Sequence, residues 1–584
     1  MSYKNISRSL FALFSIVLML SACSFFQSDL PGFQDIENDL DNFQSFPPAE
    51  ESSNGQGSLS NQANYYNEFS NDVEVEEPAN NFAPSRSGEA GGSSSYSDNV
   101  ESQDSVGISP MPTQPITVMP PIGKETPEPN NMYFEDYGVN PFIDTEDDFL
   151  STFATDIDTG AYTLARSYLN QGYLPPEDSV RVEEYINYFP QGYPNPSARD
   201  TFEIFIDGGP TPFTETDSYQ VIRVGIQGYD LPESDRKDAA LTFVIDVSGS
   251  MGNDNRLATV QQALELLVEE LSPSDSVAII AYTDTAWVVL PHTSARHKEE
   301  IIDAIYSLYP MASTNAEAGL LLGYQEASEA YLRNGINRVV LCSDGVANVG
   351  NTGPESIWET IEDYASEGIT LTSVGVGMGN YNDILMEQLA DHGDGFYAYV
   401  DTLDEAERLF VHNLVSTLQV IALDAKIQVE FNPEVVSRYR LIGFENRAIA
   451  DQDFRDNTVD AAEIGAGHSV TALYEIKLYP REVGEIATVH LRWQDPDTYR
   501  IEEISETIDT RDLERSFRDT SPYFQMDVLV AEFGEILRDS YWAQDTRFRD
   551  ILQYAEDLPD WLERTEVYEF VDLLQTASRL AGYH

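Results

Sequence analysis

The sequence predicts an α/β fold: a doubly wound, mostly parallel sheet, flanked by a small α+β amino-terminal region and an α+β carboxy-terminal region. Two observations support this prediction. Between residues 239 and 418, short apolar runs alternate with helical stretches, as in sheets that carry helices on both faces. Two of the runs end in a carboxylate, Asp246 and Asp344, and such sheets bind ligands at the carboxyl ends of their strands.

The central region contains five predicted strands, at residues 240–245, 275–282, 338–344, 370–377 and 395–401. A helix is predicted after the first strand, because apolar residues recur on one helical stripe from Leu257 to Leu271. Further helices are predicted at 316–332 and 381–392. The repeated order of strand and helix places the loops after the first and third strands at one edge of the sheet.

The flanking regions have different patterns. Before the central region, helices are predicted at 161–171 and 180–188, and strands at 202–206 and 219–226. After it, longer runs of alternating apolar and polar residues predict strands at 425–431, 437–444, 469–478 and 486–493. Two or three helices follow, at about 523–540, 547–556 and 567–580. Whether the two flanking regions form one domain is left open by the sequence.

The segment Asp246-Val247-Ser248-Gly249-Ser250-Met251 carries the chemistry of the central region. One carboxylate and two hydroxyls at alternating positions after a strand are suited to a hard cation such as Mg²⁺ or Mn²⁺. Thr314 and Asp344 lie in loops expected at the same edge. The alternative is that Ser248 and Ser250 only cap the following helix, since helix starts favour serine.

Residues 239–418, with these loops, resemble the von Willebrand factor type A (VWA) domain. The resemblance implies a metal-ion-dependent adhesion site formed by Asp246, Ser248, Ser250, Thr314 and Asp344. It further implies that the three hydroxyls touch the metal directly, and that the aspartates act partly through water. An open coordination position would then accept a carboxylate from a protein or peptide partner. One departure is Asp344-Gly345-Val346, where related bacterial domains often have Asp-Gly-Asp.

Segments on both sides of the central region resemble those that accompany VWA domains in a group of bacterial lipoproteins. In the amino-terminal flanking region, 131–238, these segments are residues 174–177 and 180–189. In the carboxy-terminal region, 419–584, they are residues 440–446 and 462–474.

The amino terminus predicts export. Lys4 and Arg8 precede an apolar run from Leu10 to Leu20, followed by Ser21-Ala22-Cys23, the pattern of a secretory signal over residues 1–22. The position of Cys23 resembles a bacterial lipoprotein box, which implies cleavage before Cys23 and its lipidation. The alternatives are an ordinary signal peptide and a membrane span, although the apolar run is shorter than the roughly 20 residues that a span needs.

Residues 23–130 predict a disordered acidic tether. From residue 24 to 130 there are 18 acidic side chains against Arg86 and Lys124, a balance of −16. Such a composition cannot bury enough apolar surface to offset the entropy of ordering. The tether would hold the folded part away from the lipid surface.

Charge and motifs exclude several functions. A formal charge of −67 argues against nucleic acid as a partner, because phosphate binding needs clustered lysine and arginine. Metalloprotease, nucleophile-elbow and phosphate-loop motifs are absent from the sequence. Asp158-Thr159-Gly160 has no second copy for a protease dyad, so a turn and helix cap is predicted there.

These observations predict a non-enzymatic binding protein, lipid-anchored to the outer or cytoplasmic membrane of a bacterium and facing outward. It would recognise a protein carboxylate through the cation. Two alternatives remain: an envelope scaffold or assembly factor with a structural metal, and a metal-assisted hydrolase. The sequence leaves the partner and the oligomeric state open.

Overall fold

The computed structural model describes residues 134–214, 218–311, 315–345, 354–377, 382–413 and 418–582. The strands are β1 (Ile143–Asp144), β2 (Leu150–Ala154), β3 (Phe202–Gly209), β4 (Tyr219–Gly228), β5 (Ala239–Asp246), β6 (Ser276–Tyr282), β7 (Ala286–Ser294), β8 (Ile336–Ser343), β9 (Thr370–Val376), β10 (Tyr397–Val400), β11 (Val420–Phe431), β12 (Val436–Ile442), β13 (Ala462–Gly465), β14 (Ser469–Leu478), β15 (Glu485–Gln494) and β16 (Ile501–Asp509).

The α-helices in the described segments are α1 (Gly160–Asn170), α2 (Val182–Tyr188), α3 (Arg256–Glu270), α4 (Lys298–Tyr306), α5 (Ala316–Glu329), α6 (Pro354–Ser366), α7 (Asp383–Asp391), α8 (Leu403–Glu407), α9 (Pro522–Leu537), α10 (Phe548–Ala555), α11 (Leu558–Leu562) and α12 (Thr565–Ala581).

The central sheet confirms the predicted α/β class. Its strand order is β10-β9-β8-β5-β6-β7, and every neighbouring pair is parallel except β6 and β7. Residues of β5 are buried on both faces: Leu241, Phe243 and Ile245 belong to one apolar core, and Val244 to the core on the other face. A strand covered on both sides has a continuous apolar run, which is why β5 is readable from the sequence.

Four central elements, β7, α4, α6 and α8, were absent from the predicted set. β7 lies at the edge of the sheet beside β6, its one partner among the described strands, and several of its side chains are partly exposed. Pro291 lies within it. Proline is tolerated at an edge because its missing N–H can face solvent, but it weakens the sequence signal for a strand.

The two flanking regions share their sheets. One five-stranded sheet has the order β1-β12-β14-β4-β3, so strands from before and after the central region alternate in it. β4 and β14 pair antiparallel over nine residues, from Tyr219 opposite Lys477 to Gln227 opposite Ser469. The second sheet has the order β13-β11-β15-β16, and β2 pairs with β11 as well.

One apolar core lies between these two sheets, and it contains residues of both flanking regions, including Phe153, Ile222, Val429 and Tyr474. A second core joins α1 and α2 to the helices α9–α12. The flanking regions therefore form a single β-sandwich with a helical layer, and the central domain is inserted between its two parts.

Buried charges connect this sandwich to the central domain. Arg447, which follows β12, donates hydrogen bonds to Asp156 (2.9 Å) and Asp158 (3.3 Å) before α1, and to Glu387 (3.3 Å) in α7. Asp158 in turn accepts a hydrogen bond of 3.0 Å from the backbone N–H of Tyr397 in β10. The predicted turn at Asp158-Thr159-Gly160 does precede a helix, but the Thr159 side chain makes no capping hydrogen bond. Asp156 and Asp158 instead connect the start of α1 to Arg447, and Asp158 also connects it to β10.

The predicted signal, the lipidation residue Cys23 and the tether all lie outside the described residues. Within the described segments, no helix has both the length and the apolar character that crossing a membrane requires. Cys342 is a free, buried thiol in β8, and burial raises its pKa to about 12, which makes it unreactive near neutral pH.

Candidate metal site

The first predicted loop begins where β5 ends. Asp246 is the last residue of β5 and is fully buried, and a 3₁₀ turn from Gly249 to Asn255 follows it. The Oδ1 atom of Asp246 accepts a hydrogen bond of 2.7 Å from the backbone N–H of Ser248. The hydroxyl oxygens of Ser248 and Ser250 lie 2.9 Å apart. Three oxygen-bearing side chains of the motif are thus held close together.

The third predicted loop follows β8, the strand beside β5 in the sheet. Ser343 connects the two loops, because its hydroxyl donates to Oδ2 of Asp246 (3.1 Å) and accepts from the backbone N–H of Gly345 (3.2 Å). Asp344 is fully buried. Its Oδ1 atom is buried and has no hydrogen-bonding partner among the described residues.

The second predicted loop is described only at its two ends. At the first end, the backbone N–H of Met311 donates to the carbonyl of Val247 (2.6 Å), next to Asp246. At the other end, the Asn315 side chain caps α5 by accepting from the N–H of Ala318 (3.3 Å). The predicted ligand Thr314 lies outside the described residues.

Sequence reasoning missed Arg256. This residue opens α3, and its Nη1 atom donates a hydrogen bond of 2.6 Å to Oδ2 of Asp344. Both side chains are buried, at 6% and 0% exposure. An arginine ten residues after Asp246, at the start of an apolar helical stripe, gives no sign that its partner lies 88 residues later in the chain.

Gly377 makes room for Arg256. It follows β9 with φ +79°, a backbone conformation that favours glycine, and a Cβ atom there would overlap the Arg256 side chain. The glycine therefore lets the arginine reach the end of β8 from the neighbouring helix.

The site concentrates negative charge in a buried position. Burial raises the pKa of Asp246 to about 6, and the nearby charge of Asp344 adds to the shift. Arg256 compensates one oxygen of Asp344 and leaves the other without a partner among the described side chains. A buried carboxylate oxygen without a partner is costly, and a divalent cation held by carboxylate and hydroxyl oxygens would satisfy it. The residues present therefore fit a Mg²⁺ or Mn²⁺ ion.

A different acidic group lies at the other end of the strands. Asp394, Asp460 and Glu463 bring carboxylate oxygens within 4.8 Å of one another. Asp394 precedes β10, whereas Asp246 ends β5 and Asp344 follows β8, so this group is separate from the site described above.

Family profiles match three successive parts of the chain. A family profile described as von Willebrand factor matches residues 128–235, and one described as von Willebrand factor type A domain matches residues 240–412. A third, described as "Uncharacterized protein YfbK, C-terminal", matches residues 416–580. The fold and the loops after β5 and β8 thus define a VWA domain protein.

More specifically, the chain belongs to the VWA protein family that includes YfbK of Escherichia coli strain K12. The two are 35% identical over 479 residues, which cover 77% of this chain and 81% of that protein. This confirms the family resemblance predicted from the sequence.

Other similar proteins share only part of the chain. Protein sll0103 of Synechocystis is 26% identical over 218 residues, which are 37% of this chain and 50% of that protein. The human inter-alpha-trypsin inhibitor heavy chain H3 is 28% identical over 171 residues, 28% of this chain and 19% of that protein. A solved von Willebrand factor type A structure from Catenulispora acidiphila is 15% identical and covers 66% of this chain and 91% of its own, with a TM-score of 0.40.

Proposed function

We propose that the protein is a non-enzymatic adhesion protein that binds a carboxylate of a protein partner through Mg²⁺ or Mn²⁺ held at the candidate metal site. VWA domains generally mediate protein interactions, and this chain contains one. The observation that carries the proposal is the arrangement at the ends of β5 and β8. There, the Ser248 and Ser250 hydroxyls adjoin Asp246, and a buried oxygen of Asp344 has no partner among the described residues.

Each side chain has a distinct role in this proposal. Ser248 and Ser250 would bind the cation directly, with Thr314 as the third hydroxyl ligand. Asp246 orients the first loop by accepting the Ser248 N–H, and Ser343 holds Asp246 in turn. Neutral hydroxyl ligands donate little charge, so the bound cation would remain attractive to an outside carboxylate.

The charge at the site favours an acidic ligand despite the overall charge of −67. Asp246, Asp344 and Arg256 together carry one net negative charge, so a divalent cation would leave one net positive charge. Repulsion from distant acidic residues is screened beyond roughly 8 Å at physiological ionic strength. We therefore expect contact attraction to dominate binding, without fast steering of the acidic partner.

The described neighbours of the site support a binding role over hydrolysis. The side chains that hydrogen-bond to Asp246, Ser248, Ser250 and Asp344, within the part of the chain that the structure describes, come from serine and arginine. A hydrolase would need a general base near the cation, such as histidine or glutamate.

Replacing Asp246 with alanine is expected to weaken Mg²⁺ binding by about 100-fold or more, because the variant loses both a carboxylate and the anchor of the first loop. Calorimetric titration of Mg²⁺ into the purified protein measures this. The matched control is Asp303→Ala, which removes an exposed aspartate of α4 in the same domain. Equal Mg²⁺ affinity in wild type and Asp246→Ala would refute the site assignment.

Capture of envelope proteins, with and without a chelator, distinguishes an adhesion protein that binds its partner through the cation from a scaffold that does not. If the cation receives the partner's carboxylate, a chelator should abolish capture. Capture that survives chelation, in a protein that does bind Mg²⁺, would instead indicate a scaffold whose metal only orders the loops.

We further propose that Cys23 carries a lipid and anchors the protein to the outward face of a bacterial membrane, with residues 23–130 as the spacer. The apolar run before Ser21-Ala22-Cys23 supports this proposal. In cells fed an alkyne-tagged palmitate, the wild-type protein should acquire the tag and partition into membranes, whereas Cys23→Ser should do neither. Tagging of Cys23→Ser at the wild-type level would contradict the proposal.

A further inference from the structure

A cavity of about 570 Å³ lies where the three parts of the chain meet. It is lined by residues 187–193 at and after the end of α2, by Phe396, Tyr397 and Ala398 at β10, and by residues 467–469 at the start of β14. Its volume is in the range of small-molecule sites, roughly 300–1,000 Å³. None of its described lining residues belongs to the candidate metal site.

The charge of the lining is the reverse of the charge of the protein. The chain has 100 acidic and 33 basic residues. The cavity is nevertheless lined by two arginines, Arg408 and Arg564, and Glu566 is the one carboxylate among its described lining residues. This reversal points to an anionic ligand.

Arg408 is fixed in position. Its Nε and Nη2 atoms donate to Oε1 of Glu405 (2.9 and 2.5 Å), and Nη2 also donates to the Thr159 hydroxyl (3.1 Å). Its guanidinium carbon lies 4.6 Å from the centre of the Tyr188 ring. Nη1 has no hydrogen-bonding partner within the described ranges, and the side chain keeps 18% exposure at the cavity. A held guanidinium with a free donor is preorganised for an oxyanion.

Gln191 and His468 add polar atoms without partners. Gln191 is 3% exposed, and its Nε2 atom donates hydrogen bonds to the carbonyls of Ile186 (2.9 Å) and Phe189 (3.0 Å). Its Oε1 atom and the Nδ1 atom of His468 are buried with no partner in the described part of the chain. Burial also lowers the pKa of His468 to about 4, so its neutral ring can donate or accept a hydrogen bond. Buried polar atoms normally have partners, and a ligand can supply them.

We infer that this cavity binds a small organic carboxylate that also carries amide or hydroxyl groups. Arg408 and Arg564 supply the positive charge for the carboxylate. Gln191 accepts a hydrogen bond from an N–H or O–H group of the ligand, and the rings of Tyr188 and Phe396 contact its carbon atoms. Inorganic phosphate would match the charge alone and would occupy only a small part of the volume.

Calorimetric titration of the full chain with two matched pairs of probes tests this inference. The pairs are N-acetyl-alanyl-alanine with its carboxy-terminal amide, and gluconate with sorbitol. EDTA is present throughout, so the result is independent of the candidate metal site. We expect at least one carboxylate probe to bind ten or more times more tightly than its neutral match.

Arg564→Glu is the informative variant, because Arg564 is exposed at the start of α12 and its replacement leaves the core intact. This substitution should weaken binding of the carboxylate probe at least tenfold and leave binding of the neutral probe unchanged. The matched control is Arg500→Glu, at an exposed arginine outside the cavity lining, which should bind like the wild type.

Three results would overturn the inference: no binding of either carboxylate, equal binding of a carboxylate and its neutral match, or unchanged carboxylate binding by Arg564→Glu. Inorganic phosphate that binds as tightly as the better carboxylate would also overturn it, since the cavity would then recognise charge without the organic part.

Discussion

Replacing Arg447 with methionine is expected to lower the free energy of unfolding by about 3–5 kcal/mol at pH 8, because removal of one member of a buried ion pair leaves the other uncompensated. Arg447 is 13% exposed and compensates Asp156, Asp158 and Glu387, which are 3–5% exposed. The carboxylates lie on both sides of the junction between the sandwich and the VWA domain. Urea unfolding, followed by circular dichroism, measures the loss.

The matched control is Arg455→Met. Arg455 also pairs with a glutamate, Glu503, but it is 60% exposed. Exposed pairs contribute only about 0–1 kcal/mol, so this variant should unfold near the wild-type urea concentration. Equal effects of the two substitutions would show that the buried cluster does not hold the junction.

The loss of unfolding free energy caused by Arg447→Met should be smaller at pH 5 than at pH 8. Burial raises the pKa of Glu387 to about 7 and that of Asp158 well above its usual value, and loss of the guanidinium would raise both further. A carboxyl whose folded-state pKa is raised binds more protons in the folded state. Its stabilising contribution is therefore present at low pH and lost as pH rises through the folded-state value.

Replacing Arg256 with methionine is expected to separate cation binding from partner binding. Without cation, Asp344 would lose its one described ion-pair partner, so the melting temperature in EDTA should fall clearly. Mg²⁺ should then bind about ten times more tightly or better, because a nearby positive charge is gone. Excess Mg²⁺ should recover much of the lost stability, since a ligand that binds only the folded state stabilises it.

Binding of an acidic partner should weaken in the same variant, because the cation-loaded site would carry no net positive charge. Thermal unfolding in EDTA and in Mg²⁺, with Mg²⁺ calorimetry, tests the first part, and partner capture tests the second. Arg333→Met, at an exposed arginine of the same domain, is the control. Unchanged Mg²⁺ affinity in Arg256→Met would contradict this account of the site.

The parts of the fold that were predictable are those with local signals. β5 and β8 are mostly apolar runs, and the motif Asp246–Ser250 is contiguous, so its proximity to the end of a strand is evident in the sequence. The position of Asp344 close to Asp246 follows from the rule that neighbouring parallel strands end at the same edge of the sheet. Thr314 stays a prediction.

The parts that were not predictable depend on distant partners. β16 has four acidic residues among nine, and five of its nine residues are exposed; it is a strand because it pairs with β15. β13 is four residues long and pairs with an irregular part of β11. The pairing of β4 with β14 joins residues about 250 positions apart, and no local pattern encodes that register.

The shared sandwich sets an order of events during biosynthesis. The VWA segment is continuous in the chain, so its sheet can form as soon as residue 413 or so has emerged. β3 and β4 emerge before this domain and can pair with each other, but the other edge of β4 must wait for β14, roughly 240 residues later, and such long loop closures slow folding. A nascent chain therefore exposes the open edge of β4 throughout synthesis of the inserted domain, which makes this stage the most vulnerable to aggregation and the natural point for protection by a chaperone.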